Sequence, residues 1–208
     1  GVLLPYPFQA NLHGLPPAVI EECVMGFLAK KGGSRPKNFL NWILDNFGDG
    51  IARHFMIPYN EKFWRYDLNR LGVEWAEWSV PMPTLEEVIR GALGIKNIGM
   101  GYNPSFFYPK KGGISKLPEG FLKYVKRILL NTRVNKINAK KKLITLEGGE
   151  CLRYSYLIST APLPELIGMI EDAPESLKSA GRKLAYTSVD CVNIGLPRKR
   201  VIDHHWIY

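Results

Sequence analysis

The sequence predicts an α/β fold in which a layer of short helices precedes a helix, a β-meander and a buried strand. Apolar residues recur at the spacing of a helical face through much of residues 12–96. Three short extended runs between residues 133 and 154 are separated by a lysine-rich turn and a Gly-Gly pair, which is typical of a small antiparallel meander. The run at 156–160 is apolar until it ends in Ser-Thr, as in a strand covered on both faces.

Prolines and glycines mark the first two predicted helices. The first opens at Pro16-Pro17 and ends at Gly32-Gly33. Its apolar face comprises Val19, Ile20, Cys23, Val24, Phe27 and Leu28. The second begins near Ser34 and Pro36 and ends before Gly48. Its apolar positions are Phe39, Trp42, Ile43 and Phe47.

Shorter helices complete the first half. Residues 50–56 form a third helical stretch, and residues 60–71 are expected to be helical only in short pieces. Thr84 and Glu87 have the spacing of a capping box, which predicts a helix that reaches about Leu93.

The second half alternates turns with short elements. After the Gly112-Gly113 turn, apolar positions predict a helix that lies on a sheet: Leu117, Phe121, Leu122, Val125, Ile128 and Leu129. The predicted meander strands are 133–137, 143–146 and 151–154. The turn after the buried strand leads into an amphipathic helix, another short helix follows Pro174, and residues 188–196 are predicted to form a strand.

Composition sets the class of protein. The chain has 208 residues, of which 46% are hydrophobic and 23% charged, so it is expected to be globular. No apolar run approaches the ~18 residues that a membrane span needs. The net charge of +9 is spread along the chain except at 140–142 and 198–200, which argues against a nucleic-acid partner.

Cysteine and histidine usage suggests a reduced compartment and no metal site. Cys23, Cys151 and Cys191 are far apart, which predicts buried, unpaired thiols and a cytoplasmic location. The histidines share no ligand spacing with cysteines or carboxylates.

The order of these elements resembles flavoproteins of the amine oxidase superfamily, which includes protoporphyrinogen oxidases and UDP-galactopyranose mutases. Five motifs occur in the same order as in the mutases: YPFQANLHGLP at 6–16, PKNFLNW at 36–42, HFMIPYNEKFW at 54–64, GYNPSFFYPKKGG at 101–113 and WIY at 206–208. The resemblance implies part of a Rossmann-like FAD-binding domain joined to a helical and antiparallel-sheet substrate domain.

The resemblance also implies domain limits and a cofactor. Residues 1–100 would belong to the substrate domain, 101–170 to the FAD-binding domain, and 171–208 to the sheet of the substrate domain. The glycine fingerprint that seats the pyrophosphate of FAD does not occur in this sequence. The chain is therefore expected to be an internal piece of a longer protein, with the remainder on both sides, and to bind FAD weakly or not at all when alone.

Site residues follow from the same motifs. Matching positions in the mutases suggest a substrate site formed by Asn38, Trp42, Tyr59, Asn60, Asn103, Trp206 and Tyr208, and a cofactor site that includes Val134, Thr160 and Pro162. On a helix, Asn38 and Trp42 share one face, where an indole could stack on uracil and an amide could bond its edge. Without the resemblance, a core tryptophan and a helix cap explain this pair better. No catalytic side chain is predicted, since the flavin carries the chemistry.

Two positions depart from the mutases. Ile57 stands where they have an arginine for the substrate phosphates, and Met100 stands where they have a tryptophan. An alkyl group cannot form charge-assisted bonds to a diphosphate. The identity of the substrate is therefore open.

The functional expectation is a flavin-dependent mutase-like enzyme that acts on a nucleotide sugar in cell-surface polysaccharide biosynthesis. In that case the reduced flavin attacks the anomeric carbon of a UDP-sugar. One alternative is a flavin amine oxidase or protoporphyrinogen-oxidase-like enzyme that oxidises another substrate. A second alternative is a non-catalytic module that binds a nucleotide sugar.

Overall fold

The computed structural model describes residues 2–32, 35–97, 106–198 and 207. The chain divides into two compact units, Gly1–Leu122 and Lys123–Tyr208. The first is helical, and the second combines helices with a small antiparallel sheet. This mixed architecture confirms the predicted fold class.

The first unit contains the predicted layer of short helices. They are α1 (Pro17–Ala29), α2 (Phe39–Ile51), a π-helix (Ala52–Met56), α3 (Ile57–Trp64), α4 (Ala76–Ser79), α5 (Leu85–Ala92) and α6 (Lys116–Phe121). Single 3-10 turns occur at Phe8–Ala10 and Leu68–Arg70, and a third, Leu122–Tyr124, follows α6.

Local signals placed two helix starts correctly. α1 begins at Pro17, as the proline pair predicts. The capping box at α5 is confirmed: the Glu87 N–H donates to Thr84 Oγ1 at 3.3 Å, and the Thr84 N–H donates to Glu87 Oε2 at 2.7 Å. These bonds satisfy backbone donors that a helix start leaves without partners.

The limits of α2 differ from the prediction. The helix begins at Phe39 instead of near residue 34, and it continues past Gly48 to Ile51. Gly48 has φ 72° and ψ 171°, so the helix kinks there and then resumes. The predicted stop signal therefore produces a kink, because glycine adopts this backbone conformation without a Cβ clash.

The core of the first unit lies between α1 and α2 and extends to α5. Most of the predicted apolar face of these helices is buried, although Leu28 is half exposed. The buried apolar residues are Leu12, Cys23, Phe27, Phe39, Trp42, Ile43, Phe47, Ile51, Ala52, Met56, Leu68, Ala76 and Val88.

The second unit contains the predicted meander. Its strands are β1 (Val134–Asn138), β2 (Leu143–Leu146) and β3 (Cys151–Arg153), antiparallel in the order β1-β2-β3. The helices α7 (Leu163–Met169) and α8 (Glu175–Lys183) follow, as expected. A parallel bridge between Ile137 and Ile170 connects β1 to the end of α7.

Three predicted elements are wrong in this structure. Residues 156–160 form no strand, and Tyr156 and Ile158 are each 93% exposed. Residues 188–196 also form no strand. The helix predicted across 117–129 stops at Phe121, and its apolar face is exposed. Apolar sequence makes these elements only when a neighbouring surface covers them, and the described residues supply none.

Candidate functional site

A cavity of about 610 Å³ lies on the second unit between β1, the segment 157–161 and α7. This volume is in the range of small-molecule sites. The lining comprises Arg133, Val134, Asn135, Ile137, Ile144, Leu157, Ile158, Ser159, Thr160, Ala161, Glu165 and Met169. The cavity therefore brings together Val134 and Thr160, two of the predicted cofactor residues.

The backbone of Val134 faces the open edge of the sheet. The Glu147 N–H donates to the Arg133 carbonyl at 2.9 Å, so that carbonyl points towards β2. Backbone groups of successive strand residues point to opposite edges, which directs the N–H and carbonyl of Val134 away from β2. On that side β1 is an edge of the described sheet. A ligand at this edge can accept from the N–H and donate to the carbonyl.

Further along the same edge of β1, the strand forms hydrogen bonds with the segment that follows α7. The Ile137 carbonyl accepts the Glu171 N–H at 2.9 Å. The carboxylate of Asp172 accepts the backbone N–H groups of Ala139 and Lys140, each at 2.9 Å. These bonds hold the start of the β1–β2 turn against the segment that follows α7. The part of the edge near Val134 is thereby positioned beside the cavity.

Pro162 lies next to the cavity as the N-cap residue of α7. Its carbonyl accepts the Leu166 N–H at 2.9 Å, which forms the first turn of the helix. Thr160 is exposed on the cavity wall just before this turn.

The chemistry of this lining fits the adenine end of FAD. Adenine presents an acceptor, N1, beside a donor, the N6 amino group. The N–H and carbonyl of one edge-strand residue match that pair, as a neighbouring strand would. Apolar side chains from Ile137, Leu157 and Ile158 can cover the ring faces.

Asn38 and Trp42 have structural partners in the first unit. The Asn38 side-chain oxygen accepts the Asn41 N–H at 2.9 Å and caps α2. Trp42 is 3% exposed, with ring centroids 5.6 Å from Phe39 and 5.6 Å from Phe47. These are the cap and core roles that the residues alone suggest. Their contact with substrate stays a prediction.

Tyr59 and Asn60 lie on α3. The Tyr59 ring stacks between Phe55, at 5.1 Å between centroids, and Phe63, at 5.8 Å. Asn60 is buried: its amide donates to the Met56 carbonyl at 2.7 Å, and its oxygen accepts the Trp64 indole N–H at 3.2 Å. The amide thus spans the junction between the π-helix and α3.

The remaining predicted substrate residues, Asn103, Trp206 and Tyr208, lie outside the described residues, as does Met100. Ile57 is described: it is the first residue of α3 and packs against the core of the first unit.

Several cavity residues were not predicted from the sequence. Arg133, Asn135, Ser159 and Glu165 face the cavity together with Val134. They come from the start of β1 and the residue before it, from the segment before α7 and from α7, and their spacing carries no recognisable motif. A β-bulge in β1, between Val134 and Lys136, also leaves no sequence signature in this case.

The thiols differ from the prediction of uniform burial. Cys23 is buried in the core, and burial raises its pKa to about 11. Cys151 and Cys191 are exposed.

The described part of the chain holds neither a metal site nor a membrane-crossing helix. No group of three or more His, Cys, Asp or Glu residues is placed to hold a metal ion there. None of its helices combines the length and apolarity that crossing a membrane requires.

Comparison with known proteins places the chain among flavoenzymes. A family model described as flavin containing amine oxidoreductase matches residues 35–205. The crystal structure of a reduced UDP-galactopyranose mutase superposes with a TM-score of 0.79 at 30% sequence identity. The match covers 88% of this chain and 42% of the mutase, so the chain spans less than half of that protein. These findings confirm the predicted resemblance and the expected flavin cofactor, FAD.

Proposed function

Because the chain belongs to the family of flavin containing amine oxidoreductases, we propose that it supplies one wall of the FAD site and part of the substrate site of a flavin-dependent enzyme. The observation that carries this proposal is the 610 Å³ cavity, which Val134 and Thr160 line together. Residues 1–100 and 171–208 would serve the substrate domain, and residues 101–170 the FAD-binding domain.

The adenine end of FAD is assigned to the cavity. The Val134 backbone binds N1 and N6, and Thr160 and Pro162 border the cofactor where α7 begins. The flavin, when bound, supplies either a nucleophile for an anomeric carbon or an acceptor for substrate hydride. The chain itself orients the cofactor and keeps water from the adenine faces.

The assigned substrate is a nucleotide sugar, with Asn38, Trp42, Tyr59, Asn60, Asn103, Trp206 and Tyr208 as its contacts. Support comes from the superposition on the mutase and from the order of the five motifs. The corresponding role is cytoplasmic synthesis of a cell-surface polysaccharide precursor. With Trp42 buried, its assignment requires that Phe39 or Phe47 move when substrate binds.

A specific observation favours a second candidate, an amine-oxidase-like or protoporphyrinogen-oxidase-like enzyme. Ile57 contributes an alkyl group to the core where a mutase needs a cation for the diphosphate. The Asn38 side-chain oxygen and the Asn60 side-chain amide also form hydrogen bonds within the protein. An uncharged or lipid-like substrate would require neither a cation at position 57 nor these two side chains as hydrogen-bonding partners.

The absorption spectrum of the full-length protein tests the proposal. We expect flavin bands in the purified protein, and an absence of bound flavin would favour the non-catalytic module. UDP is then titrated into the reduced holoprotein. A saturable spectral change supports the mutase, whereas no change removes the mutase and leaves the oxidase.

A further inference from the structure

We propose that the side chain of Asn135 makes the cavity specific for adenine by hydrogen bonding to N6 and N7 of the base. The inference rests on the proposed function, since it takes the adenine of FAD to lie at the edge of β1. It assigns a role to a residue that the motif comparison does not single out.

Asn135 owes its position to the β-bulge. Val134 is paired with Leu146 and Lys136 with Thr145, so Asn135 is the extra residue between two consecutive partners on β2. A bulge redirects the side chain of the extra residue and increases the local twist. Arg133, Val134 and Asn135 all line the cavity, although neighbouring residues of a regular strand face opposite sides. The bulge is what allows Asn135 to lie on the same side as Val134.

The amide of Asn135 is available to a ligand. The residue is exposed, and its amide engages no other described residue. Asn138 on the same strand differs, since its side-chain oxygen accepts the Lys141 N–H at 2.9 Å and closes the turn. Asn135 is therefore the amide of β1 that can bind a base without breaking a bond inside the protein.

The order of polar groups along β1 matches the order around adenine. Read in the chain direction, the strand offers the Val134 N–H, the Val134 carbonyl and then the Asn135 amide. Adenine offers N1, the N6 amino group and then N7. With N1 and N6 on Val134, the second N6 hydrogen and N7 point towards Asn135. An asparagine amide pairs with that edge by accepting from N6 and donating to N7.

The charged side chains of the cavity cannot make this pair. Arg133 only donates and Glu165, when ionised, only accepts, whereas adenine needs both functions side by side. The hydroxyls of Ser159 and Thr160 carry both functions on one oxygen atom, whereas the Asn135 amide offers them on two adjacent atoms. Hypoxanthine has a carbonyl in place of the N6 amino group and a proton on N1. Its N1–H would meet the Val134 N–H, which places two donors against each other. Its carbonyl oxygen would meet the Asn135 oxygen, which places two acceptors against each other.

The test measures nucleotide affinity by titration calorimetry, with 5′-AMP, 7-deaza-AMP and IMP as ligands of the full-length protein freed of its flavin. 7-Deaza-AMP keeps N1 and N6 and lacks only the N7 acceptor. Each lost hydrogen bond is expected to weaken binding about three- to tenfold. The unmodified chain should therefore bind AMP more tightly than 7-deaza-AMP by that factor, and IMP more weakly still.

Two variants locate the effect. In Asn135→Ala, AMP and 7-deaza-AMP should bind equally. In Asn135→Asp, which keeps the acceptor and loses the donor, the preference for AMP over IMP should persist while the preference over 7-deaza-AMP disappears. Asn193→Ala removes an exposed amide outside the cavity and should leave all ratios unchanged.

Equal binding of AMP and 7-deaza-AMP by the unmodified chain would overturn the role of Asn135, whether or not the variants fold. So would a ratio that Asn135→Ala leaves intact. In both cases AMP still binds, and the adenine site of the proposed function stands. A failure of the full-length protein, freed of its flavin, to bind AMP at all would remove the adenine site together with this inference.

Discussion

At the scale of single residues, three glycines decide how closely α1 and α2 approach. A Cβ on Gly50 would lie 2.0 Å from the Glu22 carbonyl oxygen, and one on Gly48 would lie 1.9 Å from the Gly26 carbonyl oxygen. A Cβ on Gly26 would lie 2.7 Å from the Gly50 nitrogen. Because these are contacts with backbone, no side-chain rotation can relieve them.

We predict that Gly50→Ala lowers the free energy of unfolding by about 1–3 kcal/mol, since the two helices must separate to admit the methyl group. The matched control is Gly120→Ala in α6, where the added Cβ meets no atom within 4 Å. The control should be neutral or slightly stabilising, because alanine favours helix. Urea denaturation measures both, and equal effects would contradict the close approach.

The three thiols should differ in reactivity. Cys23 is fully buried with a pKa raised to about 11, so it holds little thiolate near pH 8, while Cys151 and Cys191 are exposed. With a disulfide reagent at pH 8, we expect two thiols of this chain to react promptly and the third only after denaturation. A Cys23→Ala variant should give two thiols under both conditions. Prompt reaction of three thiols in the native chain would show that α1 is not packed as described.

At the scale of elements, the meander shows which signals are local. The lysine-rich turn, the Gly-Gly pair and the alternating residues predicted β1, β2 and β3, because these strands pair with their sequence neighbours. Residues 156–160 and 117–129 depend instead on a distant surface. Their apolar residues show that these segments could be buried, but the sequence does not indicate which surface would cover them.

The stability of the chain should depend on pH through the contacts of Asp172 with the β1–β2 turn. Its hydrogen bonds from the Ala139 and Lys140 N–H groups lower the pKa of the carboxyl below the usual 3.8. Because the pKa of Asp172 is lower in the folded chain than in the unfolded chain, the ionised carboxylate stabilises the folded chain at pH values above 3.8. This stabilisation is lost as the pH falls below 3.8 towards the pKa of the folded chain. Asp172→Asn should therefore destabilise the chain at pH 7 and have a smaller effect near pH 3.

Thermal unfolding at the two pH values measures this difference. Asp190→Asn removes an equal charge from an exposed segment without helix or strand and serves as the control. The same loss of stability from both variants at pH 7 would mean that the charge matters and the turn contacts do not. An Asp172→Asn effect that is independent of pH would contradict the linkage.

At the scale of the whole molecule, buried apolar side chains are distributed unequally. The described core lies almost wholly in the first unit, whereas the second unit buries Ile137, Leu146 and Ile167. Local opening depends on how much apolar contact must be broken. The two units should therefore differ in local stability.

Hydrogen exchange should reveal that difference. We expect the slowest amides in α1 and α2 and faster exchange in β1–β3, because the sheet has the smaller core behind it. Addition of AMP should slow exchange in β1 and in residues 157–161 without affecting α1, if the cavity is the adenine site. Strand amides that exchange as slowly as those of α2 would contradict the unequal distribution.

The sequence by itself determined the features that neighbouring residues control. The start of α1 at Pro17, the N-cap of α5 at Thr84, the meander and the resemblance to flavoenzymes were all predicted, because caps, turns and motifs each depend on a few neighbouring residues. Trp42 and Asn38 were also recognised as a possible core residue and helix cap, and the structure gives them those positions.

Only the tertiary structure decided which side chains share the cavity. Arg133 lies just before β1 and Asn135 near its start, Ser159 in the segment before α7 and Glu165 in α7. Their meeting depends on one bulge and on the bridge between Ile137 and Ile170. It also decided that Gly48 kinks a helix instead of ending it. The physical reason is the same in each case: contacts between residues distant in sequence select among backbone conformations that the local sequence allows about equally.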